Sequence, residues 1–223
     1  MHVPAPSSNR PVLPPGNYDA VIVRVIDLGT QDESYQDEPR KKRKVRIEVE
    51  VPEELALFRA DAAPEPHVVG RDYTLSLNKG AKLVPGFLKA IEGIRGKPFA
   101  DQAEANLFNT KKLLGVPCSI IVVNVKRLSD GTPYPKIEAF GPRRRSWTPP
   151  AKTFNEVFEY EVKEGKGGRY AELLPFVKKK LDLSYEFRGA SISQPDAPQA
   201  EPSSRPPATV APAADEADDD VPF

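Results

Sequence analysis

The chain has little of what most sites of chemistry are built from: one cysteine, Cys118, and two histidines, His2 and His67, in 223 residues. A single cysteine rules out an intramolecular disulfide and fits a reducing compartment, where it reads as a small buried hydrophobe. With so few ligands, no zinc site of familiar spacing can be assembled. Long apolar runs are missing as well. No stretch approaches the roughly eighteen apolar residues of a membrane span, and the start lacks the apolar segment of a secretory leader. The expectation is a soluble, cytoplasmic protein with no cofactor, no metal and no membrane partner. Gly165-Lys166-Gly167-Gly168 lacks the upstream glycine and following Ser or Thr of a phosphate-binding loop, and reads as a turn. Glu48 and Glu50 fall on what alternation marks as the solvated face of a strand. A metal-dependent nuclease would need such carboxylates gathered among apolar neighbours, so a binding protein is expected rather than an enzyme.

Proline and unevenly placed charge are what the chain does have. The 25 prolines are about twice average usage and cluster near the start and in the last third, which argues for disordered ends around a folded middle. The formal net charge of zero hides a division. From Ala190 onward seven acidic residues face one base, Arg205, giving −6, so the rest of the chain carries +6. A basic body with an acidic tail suits a polyanion binder.

Residues 1–16 hold five prolines and read as an extended lead-in. Tyr18 to Leu28 is a strand apolar on both faces, and polar Gly29 to Pro39, with Tyr35, reads as a loop. The basic run Arg40 to Lys44 passes without a break into Val45, Ile47, Val49 and Val51 alternating with polar residues, a half-buried strand. Tyr73 to Asn78 reads as a third strand. The period then becomes helical: Phe87, Leu88, Ile91 and Ile94 form one face, with Pro85 before them and Gly96 and Pro98 as stops. A weaker helical stretch covers Asp101 to Leu114. Cys118 to Arg127 and Tyr134 to Phe140 form a hairpin about an Asp130-Gly131 turn. Three strands, a helix and two strands is the element order of the OB-fold, a five-stranded barrel with the helix between strands three and four. The predicted fold is therefore mainly β: an OB-fold domain over 17–142, then a basic linker and small α/β appendage over 143–189, with a disordered acidic tail over 190–223. In the appendage, Phe158 to Val162 is a short strand and Pro175 to Leu181 a short helix, but its role is not legible.

On an OB-fold, nucleic acid crosses strands two and three and is flanked by the loops after strands one and four. Those places hold Tyr35, Arg40, Lys41, Lys42, Arg43, Lys44 and Arg46, then Lys126, Arg127, Tyr134 and Lys136. Arg24 on the first strand, and Arg143, Arg144 and Arg145 beside Trp147, extend the set. Cations interleaved with aromatics are what a single strand requires, the cations for phosphates and the rings for stacking on bases. A charge run is also commonly a solvated face. Pro39 to Val45 further matches a basic nuclear import signal, although it runs straight into an alternating strand.

The chain ends in Asp215, Glu216, Asp218, Asp219, Asp220, Val221, Pro222 and Phe223. Unpaired carboxylates cannot pack into a core, while the last ring can fill a partner's pocket and the aspartates a basic rim. This ending resembles the C-terminal tip of bacterial and phage single-stranded DNA-binding proteins, with Val221 where the bacterial tip usually has Ile. The middle, Tyr18 to Pro142, is more loosely similar to phage-encoded OB-fold proteins of that class, through Asp27-Leu28-Gly29-Thr30-Gln31, the basic run, and Leu113-Leu114-Gly115 before Cys118. The resemblance implies a protein that coats single-stranded DNA without sequence preference in bacteriophage or bacterial DNA replication and recombination. Asp218 to Phe223 would then recruit host or phage replication and repair proteins. The runner-up is an OB-fold adaptor that holds another protein, with weak or no DNA binding. Assembly into a homo-oligomer is left open.

Overall fold

The structure, a computed structural model, describes residues 11–35, 38–59, 62–76, 86–126 and 131–189, with the side chains of 34–39 outside the description. These residues belong to one unit, Met1–Ile192. Its organising element is β1 (Gly16–Tyr35), whose double-sided apolar run has a physical cause: both of its faces are covered. β1 pairs antiparallel with β2 (Glu38–Ala56) along most of its length and, through Gly16 to Val21, with β4 (Pro117–Lys126). β2 pairs with β3 (Glu65–Thr74), and β4 with β5 (Pro133–Pro142). The short β6 (Phe158–Tyr160) adds parallel to Arg24–Ile26 of β1. The result is a six-stranded sheet in the order β3-β2-β1-β4-β5, with β6 to one side.

No ladder joins β3 to β5 among the described residues, so the sheet stays open. Its two end strands are nevertheless tied: Arg71 of β3 donates from Nη1 to the carbonyls of Ile137 and Glu138 on β5, at 2.7 and 2.6 Å.

A register shift between Ile22 and Arg24 inserts one residue into β1 and swaps its alternation. Ala20 and Ile22 face the inner core and so, after the bulge, does Val25, while Ile26 and Leu28 face outward. The inner core gathers Val45, Ile47, Val49, Ile120, Val122 and Ile137 from the strands and Phe87, Ile91 and Ile94 from α1 (Phe87–Arg95). Each such aliphatic, fully buried, contributes about 1.5–3 kcal/mol. Gly93 lets α1 sit close on β5, since a Cβ there would lie 2.2 Å from the Phe140 carbonyl oxygen. Cys118 is fully buried, and burial pushes its thiol up to about 12.

The outer core explains the appendage. Ile26 and Leu28 are covered by Phe158, Tyr160, Val162 and Leu173, and by Val177 and Leu181 of α3 (Pro175–Asp182). Residues 143–189 are thus a second layer laid on the outer face of β1.

Several elements differ from the sequence expectation. Gly29 to Pro39 is not a loop: β1 continues to Tyr35 and β2 begins at Glu38, forming a long two-stranded arm. Its residues are polar on both sides, so the apolar alternation that marks a strand is missing while the backbone ladder persists. A second register shift, between Asp27 and Gly29, falls where Gly29 takes φ 71°, a conformation that glycine alone adopts without strain. β3 begins earlier than expected, at Glu65, and ends at Thr74, so Leu75 and Ser76 lie past it; residues 77–78 fall outside the described residues. The stretch 101–114 is two pieces: α2 (Gln102–Asn106), capped by Asp101 Oδ1 accepting from Glu104 N at 2.7 Å, and a 3-10 turn, Thr110–Leu113. In the lead-in, Leu13 is fully buried against the inner core. Among the described residues no helix is long and apolar enough to cross a membrane.

Candidate nucleic-acid interface

Side chains two apart on a strand share a face, and Lys42, Lys44 and Arg46 make such a row on the outer side of β2. Lys42 and Lys44 reach Glu33 of β1 at 3.0 and 2.8 Å, and Lys44 also donates to Thr74 Oγ1 at 3.0 Å. Hydrogen bonds from Lys44 and Lys42 hold the Glu33 carboxyl below its ordinary range. All three groups remain 20–37% exposed. Arg46 is more enclosed: its Nε meets Glu48 at 2.7 Å and its Nη1 meets Asp72 at 2.6 Å. Burial works against the Arg46 charge, but Glu48 and Asp72 outweigh it and raise its pKa. For Asp72 burial pushes upward, and Arg46 with Lys180 outweighs it, so its carboxyl lies below the usual value.

Lys180 belongs to α3 and pairs with the same Asp72, so the helix extends the basic row. Beside it, the Arg46 guanidinium lies 4.7 Å from the ring centroid of Phe176. Gln31 of the arm donates to the Lys180 carbonyl at 3.0 Å, fixing the end of α3 against β1. This contribution went unread in the sequence. The run Lys178-Lys179-Lys180 was visible, but only the packing of Val177 and Leu181 turns the helix toward the sheet.

The alternate residues of the arm face the other way. Lys41 Nζ sits 4.2 Å from the centroid of the Tyr185 ring, whose hydroxyl donates to Asp32, and Arg188 pairs with Asp32 at 3.1 Å. Arg43 pairs with Asp27, at 3.2 Å through Nε, and lines a cleft of about 350 Å³ with Lys111, Glu159 and Glu161. The arm is held to the end of the appendage by Glu186, which accepts from Thr30 N and Thr30 Oγ1 at 2.8 and 2.9 Å. Arg40 is exposed at the arm's far end.

The remaining candidates divide. Arg24 is 13% exposed and turned into the protein, donating to Glu48 at 3.0 Å and to Asn155 at 3.3 Å. Trp147 is not an exposed ring: it is 8% exposed, and its indole N–H donates to Glu53 at 2.8 Å. An indole buries its ring readily where its N–H has a partner. Arg144 donates from Nε to both carboxylate oxygens of Asp19 at 2.9 Å, while Arg143 and Arg145 are exposed beside it. Lys126 is exposed and Tyr134 and Lys136 half-buried on the β4–β5 hairpin. Arg127, the Tyr35 side chain and the tip Asp218 to Phe223 lie outside the described residues.

Residues 143–157 form a strap over the outer face of β2, and the strap overturns the expected solvation of Glu48 and Glu50. Both are 1% exposed. Glu50 accepts from Phe154 N, Asn155 N and Asn155 Nδ2 at 2.9, 2.7 and 2.8 Å, and Glu48 bridges Arg24 and Arg46. Among the described residues no group of His, Cys, Asp and Glu is placed to hold a metal ion. The chain matches no family model, no curated protein and no solved structure.

Proposed function

We propose that this protein binds single-stranded DNA without sequence preference, on the outer side of the β1–β2 arm and α3. The observation that carries the reading is the row Lys42, Lys44 and Arg46, continued by Lys180, with the ring of Phe176 against Arg46 on the same surface. Alternate strand residues are about 6.6 Å apart, a spacing that offers a phosphate chain one cation after another. The outer Lys–Glu33 pairs are partly exposed and worth about 1 kcal/mol each, so a phosphate can take the place of the carboxylate. The architecture is read as an OB-type barrel. Its support is β1 shared between β2 and β4, α1 between β3 and β4, and Arg71 bridging the end strands. The +6 charge outside the tail favours polyanions. Recruitment of DNA-processing proteins through Asp218 to Phe223 is the second half of the proposal and rests on the tip's sequence.

One observation favours the adaptor reading: Lys42, Arg43 and Lys44 each already meet a carboxylate of the same arm. A salt titration separates the two. Binding to a labelled single strand should exceed binding to duplex of equal length and fall steeply with salt as counterions are released. Equal binding to duplex, or none at low salt, supports the adaptor.

A further inference from the structure

Phe176 is 42% exposed on the first turn of a helix whose neighbouring apolar residues, Val177 and Leu181, are fully buried. An exposed ring in a mobile segment would be unremarkable, but this one is held from behind. The Arg46 guanidinium, 4.7 Å from its centroid, is itself fixed by Glu48 and Asp72 and only 11% exposed. Lys180 is paired with the same Asp72, and exposed Lys179 precedes it on the helix. The ring therefore sits at a set place among cations.

We propose that Phe176 is a base-stacking platform, with Lys179 and Lys180 of α3 meeting the phosphates on either side of the stacked nucleotide. This rests on the single-stranded DNA reading and adds to it a residue outside the sheet. The occupant follows from the charge around the ring. An apolar protein partner would have to cover exposed Lys179 and the partly exposed Lys44–Glu33 and Lys180–Asp72 pairs, whereas a nucleotide brings a π-face and a phosphate together. Arg46 strengthens the design, because its cation–π contact with Phe176 persists while a base covers the ring.

The test uses the full chain with oligo(dT), an abasic strand of equal length, and duplex. Phe176→Ala should weaken oligo(dT) binding about tenfold, within the range measured for base–aromatic stacking. It should leave abasic binding and the salt slope unchanged, since no charge is removed. Phe176→Tyr should restore oligo(dT) binding and Phe176→Leu, which keeps an apolar side chain for packing, should not. Oligo(dT) binding by Phe176→Leu equal to wild type overturns the proposal and leaves the broader reading standing. An equal loss on oligo(dT) and abasic strands also overturns it, because Phe176 would then only hold Arg46 and Lys180 in position. Failure of the wild type to prefer oligo(dT) over duplex defeats both readings together.

Discussion

β2 carries the same chemistry in two opposite settings. Near its middle, Glu48 and Glu50 are 1% exposed, sealed under the strap with every bond directed at a fixed partner. On the arm, Glu33 of the paired strand holds Lys42 and Lys44 in contacts that water reaches from the side. A buried pair holds its layers together because breaking it strands a charge away from water, while an exposed pair costs little to open. The first kind joins the appendage to the sheet. The second keeps a basic row ordered yet available, which is what a surface exchanging carboxylate for phosphate requires.

The largest effect that would break this contrast is at Glu48. Replacing it by Ala leaves Asn155 as the hydrogen-bond partner of Arg24 and Asp72 as that of Arg46. The expected cost is about 3 kcal/mol in urea unfolding at neutral pH, that of removing one partner of a buried pair. A loss below about 1 kcal/mol would mean that the sealed end behaves like the open one.

Asp72 sits between the two settings, 27% exposed and shared by Arg46 and Lys180. Its carboxyl is held below its ordinary value in the folded protein, so the unfolded chain takes up the proton first as pH falls. The stability it contributes is therefore fully present above the unfolded value and lost as pH drops through the folded one. Asp72→Asn should be less stable than wild type at pH 6, by on the order of 1 kcal/mol for a partly exposed charge pair. The two should converge toward pH 3. Parallel unfolding curves across that range would show that Asp72 has no such role.

What could be read from the sequence tracks where apolar residues decide the outcome. The alternation of Val45 to Val51, the helical face Phe87 to Ile94 with its stop at Gly96, and the short helix from Pro175 are all carried by core contacts and were legible. The arm was not, because Gly29 to Tyr35 is a strand held by backbone pairing and charged cross-strand partners, with no apolar face to leave a period. Glu48 and Glu50 were read as solvated because one strand does not show what lies over it. The partners of Glu50, at Phe154 and Asn155, are more than a hundred residues away, and Glu48 is closed off by Arg24 of the neighbouring strand and by Arg46. Trp147 was misplaced for the same reason: its neighbours in sequence are Arg and Pro, but its indole partner is Glu53. The basic face was half legible, with the row on β2 visible and the part supplied by α3 hidden until packing set the helix on the sheet.

The smallest expected change in stability is at the open end, and it tests the contrast most sharply. Glu33→Gln removes the charge that Lys42 and Lys44 share while keeping size and one acceptor oxygen. Because both pairs keep contact with water, unfolding free energy should move by less than about 1 kcal/mol. Affinity for a single strand should rise severalfold, since two ammonium groups no longer have to leave a carboxylate before meeting a phosphate, and the gain should shrink as salt screens both attractions. The paired change Lys42→Ala with Lys44→Ala should act in the opposite direction, lowering affinity and reducing the salt slope by up to about two. A Glu33→Gln protein that loses stability as Glu48→Ala does would place the arm among the structural pairs. One that keeps its stability but gains no affinity, with the double lysine variant also unchanged, would take the row on β2 out of the proposed DNA path.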